Sequence, residues 1–209
     1  MTLKIYGIAA SRAARPLWVA HELGLTYEHV PTPYAGGATR TPEFLQLNPN
    51  GHIPVVDDHG VIVWESMACA LYLAQRYTAA DGSGLAGQSA AEQAEVLRWT
   101  FWAVTECEKD ALSVLMHTQA MPPDRRRPEL AQEAASRLQG PLRILDLHLQ
   151  RPYLAGERFT VADVCVASVL SWIKPMPDLL GDKPRLAAWL KGCLERPAQQ
   201  QVRALSRKV

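Results

Sequence analysis

The chain has 209 residues, of which 48% are hydrophobic and 21% charged, and its formal net charge is +1. This composition predicts one large or two small folded domains and excludes an intrinsically disordered chain. Without a basic excess to neutralise phosphates, we expect no nucleic-acid partner. The start of the chain lacks a signal-peptide pattern, and no apolar run approaches the ~20 residues of a membrane span. We therefore expect a cytoplasmic protein with no membrane partner.

The first part of the chain alternates between strand and helix patterns. The predicted elements are a strand at 2–8, a helix at 11–23, a strand at 26–32 and a short helix at 41–48. The strands are rich in β-branched and aromatic residues, whereas the helices carry apolar residues at helical spacing. Thr41 and Pro42 have the residue types that open a helix.

The segment NPNGHIPVVDDHGVIVWES, residues 48–66, predicts two strands joined by a tight turn at 57–60. Pro54 stands at the start of the first strand, one of the few places in a sheet where the missing N–H is tolerated. Glu65 and Ser66 follow the second strand, and Ser66 is predicted as the N-cap of a helix at 66–77. The predicted order of the first 78 residues is therefore β-α-β-α-β-β-α.

Strand patterns stop after a stretch of small residues at 79–88, which we interpret as a linker. Helical patterns follow at 90–117, 128–150, 159–172 and 184–196. We therefore predict an α+β domain at 1–78, a linker at 79–88 and an all-helical domain at 89–209.

Thr160 and Asp163, in the sequence FTVAD, have the spacing of a capping box, and Phe159 and Val164 can form its hydrophobic staple. Either polar residue could be mistaken for a catalytic group. We interpret both as a structural cap that begins a helix, and loss of such a cap costs about 1 kcal/mol.

Four cysteines are spread along the chain within apolar helical patterns, at Cys69, Cys107, Cys165 and Cys193. No CxxC pair and no metal-ligand spacing occurs among them, and the six histidines are scattered. This predicts buried reduced thiols and no metal site.

The motifs SRAARPLW, NPNGHIPVV, the ES pair at 65–66 and FTVAD occur in an order and spacing that resemble the cytosolic glutathione transferases over nearly the whole chain. The resemblance implies a thioredoxin-like N-terminal domain with a mixed sheet, followed by an all-α C-terminal domain. It also implies a cis bond between Ile53 and Pro54, which would leave the backbone of Ile53 to pair with glutathione as an added strand does. The residues alone leave an ordinary turn proline equally open.

The resemblance implies that glutathione is the co-substrate, and its γ-glutamyl carboxylate would bind at the helix start that Ser66 opens. Glu65 would position the adjacent amino group, although Ser66 as a plain N-cap remains an alternative. His52 stands where many relatives carry lysine, which weakens the expected clamp on the glycyl carboxylate at neutral pH. Either His52 or Arg40 could make that contact.

Ser11 stands where thiol reductases of this fold carry the first cysteine of their CxxC motif, so thiol–disulfide exchange through a protein thiolate is excluded at this site. The SxxxR pattern resembles serine-type transferases of theta-like, zeta-like or related bacterial class. It implies that the Ser11 hydroxyl donates a hydrogen bond to the glutathione sulfur. Tyr6 is the competing assignment, and Arg15 is expected to make a structural ion pair.

The electrophile site is predicted between the domains, where Ala10, Arg12 and Trp102 would contact a small apolar electrophile or a peroxide. Aromatic residues at the spacing of Trp102 also fit a helical core. The expected enzyme is a homodimeric detoxifying transferase. The alternative is a non-catalytic, transferase-like interaction domain, which the substitution at His52 keeps open. The sequence does not name the electrophile, the pathway or the dimer interface.

Overall fold

The computed structural model describes residues 2–78 and 84–206. The described chain forms two compact units, one from the residues up to 86 together with those from 196 onward, and one from residues 87–195. Of the predicted linker, residues 79–83 lie outside the described residues. The predicted helical domain ran to residue 209, whereas the described residues from 196 onward pack with the first unit.

The first unit begins with a β-α-β-α-β-β-α succession. Its elements are β1 (Lys4–Tyr6), α1 (Ala14–Glu22), β2 (Glu28–Val30), a 3-10 turn (Ala38–Arg40), α2 (Pro42–Leu47), β3 (Val55–Asp58), β4 (Val61–Trp64) and α3 (Ser66–Arg76). The sheet has the order β2-β1-β3-β4, in which β1 pairs parallel with β2 and antiparallel with β3. The predicted thioredoxin-like domain with a mixed sheet is confirmed.

Helices α1 and α3 pack against each other and carry much of the first unit's core. Leu17 and Trp18 of α1 and Leu73 of α3 are fully buried, as is Ile5 at the centre of β1. In α2 the Thr41 hydroxyl accepts a hydrogen bond from the Phe44 N–H at 3.3 Å, which confirms the predicted cap. Apolar residues of the predicted strand and helices therefore form this core.

The second unit consists of helices. They are α4 (Ala90–Trp102), α5 (Lys109–Leu115), α6 (Pro128–His148), α7 (Val161–Leu170) and α8 (Pro184–Leu194). Single π-helical turns at Ala103–Glu108 and Met116–Ala120 follow α4 and α5, so the one helix predicted at 90–117 is interrupted. Among the described residues, no helix combines the length and apolar character needed to cross a membrane.

Asp163 organises the start of α7. Its Oδ2 accepts hydrogen bonds from the Thr160 N–H at 2.9 Å and from the Thr160 hydroxyl at 3.1 Å. The Thr160 side chain in turn accepts from the Asp163 N–H, so the predicted capping box is confirmed. Its Oδ1 accepts from the Leu154 N–H at 3.1 Å and from Trp189 Nε1 at 2.9 Å. Asp163 is fully buried, and this burial raises the pKa of its carboxyl. The cap thus also ties α7 to the preceding loop and to α8.

A last helix, α9 (Pro197–Ser206), was not predicted and packs on α1. Arg196 precedes it and donates to both carboxylate oxygens of Glu22, at 2.6 and 2.7 Å, and Trp18 Nε1 also donates to Glu22. Proline is favoured at the first position of a helix, so Pro197 marks a new start rather than only the end of α8. This ion pair fastens the C-terminal segment to the first unit.

Replacing Asp163 should destabilise the fold more than removing an ordinary helix cap. Asp163→Ala leaves several buried donors without an acceptor and should lower the free energy of unfolding by about 3 kcal/mol or more. Thr41→Ala removes a single exposed cap and should cost about 1 kcal/mol. Urea unfolding followed by circular dichroism measures both, and equal losses would contradict the assigned role of Asp163.

Candidate functional site

Gly7, at the end of β1, allows three parts of the first unit to meet. Its φ is +129°, and a Cβ added there would lie 2.7 Å from the Cβ of Ala13 and 3.1 Å from that of Ile53. Only glycine tolerates both this conformation and this contact. The end of β1, the residue before α1 and the segment before β3 therefore lie side by side.

Ser11 lies in the turn that leads into α1 and is half-buried. Its hydroxyl donates to the Ile8 carbonyl at 2.7 Å and accepts from the Ala13 N–H at 3.1 Å. The predicted helix began at Ser11, whereas α1 begins at Ala14. The hydroxyl thus shapes the turn, and its hydrogen can be redirected by rotation about a single bond. The neighbouring Ala10 is exposed and Arg12 half-buried.

Ile53 and Pro54 are joined by a cis peptide bond, as expected from the resemblance, immediately before β3. The preceding loop is held by Asn48, which is 2% exposed. Its Nδ2 donates to the His52 carbonyl at 2.8 Å, and its Oδ1 accepts from the Asn50 N–H at 3.0 Å. Asn48 was not among the predicted site residues, although an asparagine ahead of Pro-Asn-Gly is a known signal for a turn that its side chain caps.

Arg40 and His52, the two side chains considered for the glycyl carboxylate, both lie at this loop. Arg40 Nη1 donates to the Asn50 carbonyl at 3.2 Å. Gly51 has a φ of +61°, and a Cβ there would lie 2.5 Å from Arg40 Nη1. Arg40 therefore lies against the segment that carries His52, and both side chains are exposed.

The start of α3 differs from the prediction by one residue. Glu65 is the N-cap, and Ser66 is the first helical residue rather than the cap itself. Glu65 has a φ of +72° and a ψ of 117°, a conformation that costs a non-glycine residue about 1–3 kcal/mol. Strain of this kind is found where the chain is held for a function, and here it lies at an exposed carboxylate beside the N–H groups of the first turn of α3.

Arg15, in the first turn of α1, reaches the start of α3. Its guanidinium Nη1 donates to Ser66 Oγ at 2.7 Å, and both residues are buried. This contact is a charge-assisted hydrogen bond to a hydroxyl, and the structural ion pair expected for Arg15 stays a prediction. The first turns of α1 and α3 are thereby fixed to each other.

Tyr6, the alternative to Ser11, is half-buried in β1, and its ring meets that of Phe44 edge-on at 6.4 Å. Trp102 belongs to the second unit, where it is half-buried and packs edge-on against Trp99 at 5.1 Å. The assignment of Trp102 to an electrophile site stays a prediction, as does the choice of Ser11 over Tyr6.

All four cysteines are free and buried, as predicted. Burial raises the pKa of both Cys69 and Cys107 to about 12, so these thiols stay protonated near neutral pH. Within residues 2–78 and 84–206, no three His, Cys, Asp or Glu side chains are grouped so that they could hold a metal ion. A thiolate nucleophile at this site would therefore come from a bound thiol rather than from Cys69 or Cys107.

The first unit therefore brings together three features at its helix starts and cis-proline turn. A hydroxyl stands before α1, a buried guanidinium braces a helix N-terminus at α3, and a backbone segment precedes β3. Helix N-termini favour anions, and an unpaired strand edge can pair with an extended peptide. The arrangement suits a small anionic peptide.

Comparisons with known proteins agree with this geometry. Residues 1–75 match the family model described as glutathione S-transferase, N-terminal domain, and residues 108–197 match its C-terminal domain. The chain is 31% identical to glutathione S-transferase 3 of Zea mays over 206 residues, which cover 95% of this chain and 92% of the relative.

Solved structures give the same result. A theta class glutathione S-transferase from Xanthomonas axonopodis pv. citri, with glutathione bound, has a TM-score of 0.85 and 32% identity, covering 96% of this chain and 97% of its own. Glutathione S-transferase-I bound with lactoylglutathione has a TM-score of 0.86 and 27% identity, covering 98% of this chain and 100% of its own.

Proposed function

The chain belongs to the glutathione S-transferase family and is a glutathione transferase, and we propose that it is a serine-type enzyme in which Ser11 stabilises the thiolate of bound glutathione. The observation that carries this proposal is the Ser11 hydroxyl, held in the turn before α1 beside the segment that contains Ile53. The enzyme would act in the cytoplasm, as the resemblance to cytosolic transferases implies.

Glutathione would bind along the first unit as an extended tripeptide. The N–H and C=O of Ile53, ahead of Pro54, would pair with its cysteinyl backbone as a neighbouring strand does. The γ-glutamyl carboxylate would lie at the N-terminus of α3 near Ser66, with Glu65 close to the amino group. Arg40 lies against the loop that carries His52, and this proximity supports both side chains as partners for the glycyl carboxylate.

Activation of the thiol requires only modest stabilisation of its charged form. A free cysteine thiol has a pKa of about 8.5, and lowering it by about two units needs about 2.7 kcal/mol. A hydrogen bond to a charged group supplies about 1.5–3 kcal/mol. Because the Ser11 hydrogen is already donated to Ile8, part of this gain is offset, and the N-terminus of α1 would supply the remainder.

The electrophile would be a small, mostly apolar molecule or a peroxide, contacted in the first unit by Ala10 and Arg12. The exposure of Ala10 and the half-buried state of Arg12 support this assignment. The thiolate sulfur would attack the electrophilic atom, and the product would be a glutathione conjugate when the electrophile is a carbon centre.

A non-catalytic interaction domain is the less favoured alternative. Such a domain has no need of a hydroxyl before α1, and it has no need of a strained carboxylate at Glu65. The replacement of lysine by His52, which kept this alternative open, is balanced by Arg40 lying against the same loop. The arrangement of Ser11, Ile53 and Ser66 therefore supports catalysis.

Ser11→Ala should lower turnover roughly 10- to 100-fold with little change in glutathione affinity, because it removes one hydrogen bond to the developing thiolate. Glu65→Gln serves as the contrasting variant and should weaken glutathione binding instead. Steady-state kinetics with a chromogenic aryl halide, combined with calorimetric titration, separates the two effects. Unchanged turnover in Ser11→Ala would move the role to Tyr6 or to backbone amides.

We further propose that the enzyme is a homodimer. In the first unit, β4 is the end strand of the sheet and exposes Val61 and Trp64, at 51% and 39%. In the second unit, α4 exposes Leu97 and Phe101 at helical spacing. Exposed apolar side chains on an edge strand and along one helix face are typical of surfaces that become buried on association.

Sedimentation equilibrium should give twice the mass of one chain. Phe101→Glu should shift the equilibrium towards the single chain, because a charge would be buried in the interface. Ser136→Glu, at an exposed polar site of α6, is the control and should leave the dimer intact. A single-chain mass for the native protein at micromolar concentration would refute the dimer.

A further inference from the structure

His29 is a polar residue of β2 at a position where an apolar side chain would be expected. It pairs in register with Ile5 of β1, which is fully buried, so the two side chains lie on the same face of the sheet. His29 is half-buried there, and a polar group removed from water needs a hydrogen-bond partner. Its Nε2 lies 2.8 Å from the carbonyl oxygen of Gly7. Because a carbonyl oxygen only accepts, Nε2 carries the hydrogen and donates it.

The Gly7 carbonyl loses its strand partner because the pairing of β1 with β2 stops at the next step. The Glu28 N–H donates to the Leu3 carbonyl at 2.8 Å, and contacts of this kind recur every two residues in a parallel ladder. The N–H of Thr32 would therefore reach Gly7. It donates instead to the Val30 carbonyl at 2.7 Å, after a proline that cannot continue the ladder. The imidazole of His29 takes the place of the missing backbone donor.

The peptide group between Gly7 and Ile8 is thereby held at both of its polar atoms. His29 donates to its carbonyl oxygen, and its N–H donates to the Thr32 carbonyl at 3.1 Å. The next carbonyl along the chain, that of Ile8, accepts the hydrogen of the Ser11 hydroxyl at 2.7 Å. The turn that carries Ser11 therefore starts from a peptide group whose orientation His29 helps to fix.

This support is needed because the residue at the bend is glycine. Gly7 has a φ of +129°, and glycine has access to a wide range of backbone conformations, so its own sterics do not fix the peptide group that follows. Loss of the donor at its carbonyl would let this peptide group rotate. The Ile8 carbonyl would move with it, and so would the Ser11 hydroxyl that is bonded to that carbonyl.

We propose that His29 is a positioning residue for Ser11. Through the Gly7 carbonyl it holds the turn before α1 in the geometry from which the Ser11 hydroxyl reaches the sulfur of glutathione. His29 acts from β2 through the backbone of this turn, so its effect is on the ionisation of the bound thiol and not on the affinity for the peptide. This inference rests on the proposed function, in which Ser11 stabilises the thiolate.

The variant His29→Phe keeps a planar ring and removes the donor. In an ultraviolet titration of bound glutathione, the thiol midpoint should rise by about 0.5–1 pH unit towards that of the free peptide. Turnover at saturating glutathione should therefore fall about 3- to 10-fold at a pH below the native midpoint, and it should approach the native value above both midpoints. The glutathione affinity, measured by calorimetric titration, should change by less than about twofold.

Two further variants test whether the hydrogen bond carries the effect. His29→Gln should recover most of the native midpoint, because a glutamine amide can place a donor near the position of Nε2. In the Ser11→Ala background, His29→Phe should add little, since the two residues act as one unit. His21→Phe is the matched control and should leave the midpoint unchanged, because His21 is a half-buried histidine of α1 whose Nε2 lies 3.0 Å from the hydroxyl of Tyr27.

A native thiol midpoint in His29→Phe would overturn the inference, and a loss of stability in urea unfolding without a change in midpoint would leave His29 with a purely structural role. Equal shifts in His29→Phe and His29→Gln would also overturn it. If His29→Phe does not fold, His29→Ile, which lacks a donor and favours strands, replaces it in the same comparison. A native midpoint in Ser11→Ala would instead overturn the proposed function, and the inference with it.

Discussion

The buried hydrogen bond from Arg15 to Ser66 is the interaction on which the site depends. It joins the first turn of α1, which follows the turn that holds Ser11, to the first turn of α3, where the γ-glutamyl end of glutathione is assigned. Because α1 and α3 also share the core of the first unit, this one contact couples the packing of the domain to the spacing of the two binding positions.

Around this link the first unit adds further constraints that hold the site. Gly7 allows the end of β1 to approach Ile53, and Asn48 fixes the loop before the cis bond. The Ser11 hydroxyl donates its hydrogen to the Ile8 carbonyl. Donating to a thiolate instead would therefore replace a neutral hydrogen bond with a charge-assisted one. The hydroxyl therefore stabilises the thiolate only by the difference in free energy between these two hydrogen bonds. The helix N-terminus would supply the rest of the stabilisation.

The sequence was most informative where structure is set by neighbours in the chain. The spacing of Thr160 and Asp163 predicted their cap because the hydrogen bonds span three residues. Prediction from the sequence failed where the local structure depends on residues that are far apart in the chain. The neighbouring residues do not show whether Glu65 or Ser66 is the N-cap of α3, because the strained φ of Glu65 is imposed by the surrounding fold. The hydrogen bond from Arg15 to Ser66 joins residues that are 51 positions apart in the chain. The helix at Pro197 was missed because proline marks both helix ends and helix starts.

If binding itself turns the glutathione thiol into a thiolate, the ultraviolet absorbance of the bound thiolate will show it. The bound peptide is titrated from acid to alkaline pH alongside free glutathione. We expect a midpoint about two pH units below that of the free peptide, and a smaller displacement in Ser11→Ala. A midpoint that does not move on binding would contradict it and leave a protein that binds glutathione without activating it.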